Sequence, residues 1–67
     1  MQYDAVLKFF RDNAGIFYTV NEVDEKAEIG SEGTTQAIID AQVADPKTGV
    51  RQDPKSGKYG IPKKAKK

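Results

Sequence analysis

The chain has no cysteine, no histidine and no tryptophan, and only one methionine in 67 residues. Without cysteine no disulfide can staple it, and without cysteine or histidine a structural zinc site has none of its usual ligands. The same absences remove the side chains most often used as nucleophile or general acid and base near neutral pH. The remaining carboxylates, lysines, tyrosines and hydroxyls form no recognisable catalytic constellation, so no enzymatic activity is expected. Long hydrophobic runs are missing too. Nothing approaches the roughly 20 apolar residues that span a bilayer, and the first residues lack the basic-then-apolar pattern of a secretory signal. A cytosolic protein without membrane association is expected. Gly30 and Gly33 lack the following lysine of a phosphate loop. Glu22, Asp24, Glu25 and Glu28 lack the oxygen spacing and central glycine of a calcium loop and read as a solvated helix face. No metal or cofactor is expected.

What is present is the make-up of an ordinary small globular domain, 37% apolar and 31% charged. A chain of this size buries only about 60% of the surface it exposes when unfolded. Packing alone must hold it, with help from a partner where there is one. The net charge of +1 conceals a strong polarity. Residues 1–45 hold Lys8, Arg11 and Lys26 against nine carboxylates, a net of −6, whereas residues 46–67 hold eight Lys/Arg against Asp53 alone, a net of +7.

The pentapeptide Asp-Pro-Lys-Thr/Ser-Gly occurs twice in the basic part, at Asp45 to Gly49 and at Asp53 to Gly57. Proline suits the second position of a type I turn, aspartate can accept from the turn's amides, and glycine takes the positive φ that closes it. The second copy lies between Val50-Arg51-Gln52 and Lys58-Tyr59-Gly60-Ile61, which predicts a β-hairpin.

Upstream, Tyr3, Val6, Leu7 and Phe10 fall at i, i+3, i+4 and i+7 and share one face of a helix that should stop near Asn13, before Gly15. Phe9 lies off that face and is assigned to a second packing layer. Ile16-Phe17-Tyr18 reads as a brief strand or an extended segment crossing the core. Thr19-Val20-Asn21-Glu22 has the form of a capping box, flanked by Tyr18 and Val23 at staple positions, and opens a helix over about Val20 to Glu28. Ile29 to Gly33, with its two glycines, breaks that helix, and Ser31 or Thr34 can cap the next. From Thr35 to Ala44 the pattern is ambiguous. Alternation of Thr35, Ala37, Ile39, Ala41 and Val43 has the period of a strand, yet three alanines and two glutamines favour a helix ended by Pro46. Helix is the preferred reading. A strand would instead make residues 35–61 a three-stranded meander.

Helix, short strand, helix, turn, helix and hairpin, in that order, resemble the winged helix-turn-helix superfamily. Thr19 to Ile29 stands as the second helix, Gly30 to Gly33 as the turn, Thr34 to Ala44 as the recognition helix and Val50 to Ile61 as the wing. Such domains carry a buried alanine four residues before the turn glycine and an apolar residue six after it. Strict counting puts Lys26 and Gln36 there, and a shift of one residue puts Ala27 and Ala37. The implied fold is α+β, a three-helix winged helix-turn-helix with a C-terminal β-hairpin wing over residues 1–62, followed by a basic flexible tail, 63–67.

The resemblance implies binding to double-stranded DNA, as a small transcriptional regulator or architectural factor. Ser31, Thr34, Thr35 and Gln36 would meet phosphates and base edges from the start of the third helix. Lys47, Arg51, Lys55, Lys58, Lys63 and Lys64 would supply the charge that grips the backbone. The plain alternatives are helix capping for the Thr/Gln cluster, protection of an edge strand for the hairpin lysines, and a solvated tail for the terminal run. The competing function is a protein-interaction module whose acidic and basic parts meet opposite charges on a protein partner or a second copy.

Overall fold

The computed structural model describes residues 2–63. Three helices, α1 (Gln2–Asp12), α2 (Val20–Lys26) and α3 (Glu32–Ala44), are followed by an antiparallel hairpin of β1 (Arg51–Gln52) and β2 (Tyr59–Gly60). The fold is therefore α+β in the expected order. Lys64 and the rest of the expected tail beyond Lys63 lie outside the described residues.

On α1 the predicted stripe faces inward: Val6 and Phe10 are fully buried, and Tyr3 and Leu7 half-buried. Asn13 closes the helix by donating both its amide and its side-chain NH2 to the Phe9 carbonyl. Gly15 then takes φ +95°, a conformation that side chains disfavour. Phe9 packs against the Phe10 and Tyr18 rings, 5.8 and 4.8 Å away between centroids.

Tyr18 forms a single antiparallel bridge with Tyr59, each amide donating to the other's carbonyl at 2.7 Å. β2 thus has a neighbour on both sides, which leaves β1 as the outer strand. Gly60 sits beneath this crossing. A Cβ there would lie 2.6 Å from the Ile16 carbonyl oxygen and 3.1 Å from the Phe17 Cα, so only glycine fits without moving the backbone.

The capping box at Thr19 is complete: Glu22 N–H donates to the Thr19 hydroxyl at 3.1 Å, and Thr19 N–H to the Glu22 carboxylate at 2.8 Å. α2 stops at Lys26, two residues before the sequence-based boundary, because Ala27 is its C-cap and Glu28 turns left-handed at φ 58°. α3 begins earlier than expected, capped by Ser31, so Glu32 and Gly33 belong to the helix and not to the turn. Asp24 Oδ1 joins the pieces, accepting from Ser31 N–H at 2.8 Å and the Thr35 hydroxyl at 2.9 Å. Ala27 is half-buried while Lys26 is exposed, as the shifted alignment requires. The second shift fails, since Ala37 is exposed and Gln36 half-buried.

Residues 35–44 are helical, and the meander is excluded. Thr35, Ile39 and Gln42 form the buried stripe of α3, against a core of Val6, Phe10, Val23, Ile39 and Val50. Full burial of each such apolar side chain contributes about 1.5–3 kcal/mol.

The two pentapeptides fold alike. In each the aspartate Oδ1 accepts from the amide two residues on (Lys47 at 3.0 Å, Lys55 at 3.3 Å), the hydroxyl accepts from the amide two residues beyond it (Val50 at 3.1 Å, Lys58 at 3.2 Å), and the glycine has positive φ. Their settings differ. Thr48 is buried and donates to the Gln42 and Asp45 carbonyls, closing α3, whereas Ser56 is exposed at the hairpin turn and donates to Asp53 Oδ2 at 2.8 Å.

Candidate functional site

The predicted contact residues fall into three groups. At the start of α3, Ser31 and Thr34 are exposed, although the Ser31 hydroxyl is occupied in accepting the Thr34 amide at 3.3 Å. Thr35 is not a surface residue. It is fully buried with its hydroxyl donated to Asp24, so it cannot touch a ligand, and its expected contact role is corrected to a structural one. Gln36 is half-buried, its amide donating to Asp40 at 2.8 Å and to the Tyr59 hydroxyl at 3.4 Å, which ties α3 to the hairpin.

The side of α3 opposite its buried stripe carries Gly33, Ala37, Asp40 and Ala44, all exposed, and the helix contains no cation. Glu32 adds a second carboxylate in the first turn, accepting from the Asn21 side chain at 2.5 Å. A phosphate-lined groove meets no attractive charge on this helix.

The second group, Lys55 and Lys58, is exposed at the hairpin turn. The hydroxyl of Ser56, and after it the Lys55 amide, hold the Asp53 carboxyl below its ordinary range. Glu22 is likewise lowered, chiefly by the Thr19 amide and further by the Lys58 ammonium, which brings the hairpin's charge near the start of α2.

The third group lines a groove of about 530 Å³ where α1 ends, the 46–49 turn leaves α3 and residues 61–63 depart from the hairpin. Lys47, Arg51 and Lys63 line it together with Arg11 from α1 and with Pro46, Ile61 and Pro62. Every ionisable side chain lining it is cationic. Gly15 N–H donates to the Ile61 carbonyl at 2.7 Å and holds the last segment beside the end of α1. Arg11 was not singled out from the sequence. It stands in the acidic part, and only the packing of residues 61–63 beside the end of α1 puts it in one groove with Lys47.

One salt bridge is present among the described residues, Lys8 with Asp12 at 2.7 Å, one turn apart and exposed; the carboxylate holds the Lys8 ammonium above its ordinary range by hydrogen bond and charge. The cations of the hairpin and the groove have no such partner among the described residues. No helix among them is long and apolar enough to cross a membrane.

Three helices closed by a C-terminal antiparallel hairpin place the molecule among small α+β domains with a layout compatible with a winged helix. Comparison with protein-family models, with curated proteins and with solved structures finds no match to this chain.

Proposed function

We propose that this is a winged-helix-type DNA-binding domain that grips the duplex chiefly by its phosphate backbone, as an architectural factor or an accessory to a regulator. The observation that carries the reading is the set of exposed cations at positions 47, 51, 55, 58 and 63, none in a salt bridge among the described residues. Unneutralised lysine and arginine on one stretch of chain is the electrostatic footprint of a phosphate-binding surface. Ser31 and Thr34, exposed at the start of α3, add contacts to the phosphate backbone. Thr35 has no part in it.

The test is fluorescence anisotropy on a 20-base-pair duplex over a range of salt. Each neutralised phosphate contributes about −0.9 to the slope of log K against log salt. Lys55→Ala with Lys58→Ala is expected to weaken binding and flatten that slope by about two units, roughly one for each lost contact. Absence of binding at low salt would overturn the reading in favour of the protein-interaction module.

A further inference from the structure

We infer that the groove formed by Arg11, Lys47, Arg51 and Lys63 is a phosphate site that takes the backbone of a nucleic-acid strand, with Arg11 as a contact residue contributed by the acidic part of the chain. The inference rests on the DNA-binding reading and assigns that reading a second anchor besides the hairpin turn.

Charge decides between this and a bland use of the same residues. Two helices end at the groove: Arg11 is in the last turn of α1, and Thr48 closes α3 through the Gln42 carbonyl. Cations beside helix C-termini are favourable in their own right, because each end behaves as about half a negative charge. Two ends therefore account for about one of the four positive charges. Asp45, half-buried and one residue before the groove's Pro46, has its carboxylate accepting from the Lys47 amide and forms no salt bridge among the described residues. Helix ends alone therefore leave most of the groove's positive charge without a structural use, and phosphodiester groups suit that charge. Asp12, next to Arg11 in the chain, is already paired with Lys8.

The shape points to a backbone and not to a base. No aromatic side chain lines the groove, so a base has no ring to stack on. Two guanidinium groups supply the planar forks that suit phosphate oxygens. Arg11, Lys47, Arg51 and Lys63 are all exposed, so their heads can reach a strand lying along the rim.

The experiment compares Arg11→Ala with Lys26→Ala, an exposed cation on α2 outside the groove. Both variants are first matched to the parent by circular dichroism and thermal unfolding. Duplex binding is then followed over salt, and inorganic pyrophosphate is titrated against the amide spectrum. The expected result is a severalfold weaker complex for Arg11→Ala with a salt slope reduced by about 0.9, no change for Lys26→Ala, and pyrophosphate shifts at Arg11, Lys47, Gly49 and Lys63. If the parent binds duplex but Arg11→Ala leaves affinity and slope intact, the groove inference falls and the DNA reading stands. If the parent binds no duplex yet pyrophosphate moves these amides, the DNA reading falls and the strand as occupant falls with it. A glutamate oligopeptide that shifts the groove at lower concentration than pyrophosphate would overturn the choice of phosphate.

Discussion

Gln42 alone among the described residues buries a side-chain polar atom without a hydrogen-bond partner. Its Nε2 donates to the Tyr3 carbonyl at 2.9 Å and so pins α3 to the first turn of α1, but Oε1 faces the core with nothing to accept. The bond contributes about 0.5–1.5 kcal/mol net, and an orphaned buried acceptor costs about 1–3 kcal/mol. The penalty is the larger. Gln42→Met keeps the length of the side chain and removes the orphan, so it is expected to raise stability by about 1 kcal/mol. Thermal unfolding checks this, since in a domain this small each kcal/mol moves Tm by roughly 4–8 °C. A lower Tm would mean that the tie to Tyr3 outweighs the orphan. Ser56 permits a second test at the same scale. Its hydroxyl is the main cause of the depressed Asp53 pKa, so Ser56→Ala should raise that pKa toward the ordinary carboxylate range, as read by NMR titration of the side-chain carboxyl. The sign for stability follows from linkage. A carboxyl whose folded pKa is depressed stabilises the fold above its unfolded pKa and loses that contribution as pH falls through the folded value. The gap between parent and variant should accordingly close on acidification across that window.

Elements whose buried face is apolar were legible from their periodicity, and the one whose faces are inverted was legible only from its composition and context. The α1 stripe and the Thr19 capping box led to the observed helices because hydrophobic period and capping chemistry agreed there. On α3 the buried stripe includes the polar Thr35 and Gln42, while the exposed side is mostly glycine and alanine. Hydrophobic periodicity is nearly erased by that exchange, and a false period of two surfaces in its place. Composition and the context of a capped helix, a glycine-containing break and a second cap were the better guides. The same inversion misled the site reading, because a threonine behind a turn looks like a ligand contact until Asp24, eleven residues away, is seen to hold its hydroxyl. The repeated pentapeptides were legible as turns, since each hydrogen bond that defines them is local. Their different uses were not, because burial of Thr48 and exposure of Ser56 depend on the distant packing of α1 and α3. Arg11 was hidden for the same reason.

At the scale of the molecule the charge separation bears on what kind of DNA binding to expect. On the proposed reading, lysine and arginine at the groove and hairpin would attract any duplex, whereas α3 presents Glu32, Asp40 and small side chains where a base-reading helix needs cations. Attraction without readout gives affinity without discrimination. Sequence-specific proteins prefer their site over random DNA by about 10³–10⁷. This domain is expected to bind unrelated duplexes of equal length within about tenfold of one another, far below that range. Competition of a panel of unlabelled duplexes against one labelled probe at fixed salt measures it directly. A preference near a thousandfold would mean that α3 enters the major groove despite its carboxylates, and in that case Asp40→Asn should strengthen the preferred complex by removing a like charge from the interface. If α3 stays clear of the bases, the same substitution leaves the ranking of duplexes unchanged, because a carboxylate turned away from the DNA is screened beyond a Debye length of about 8–10 Å.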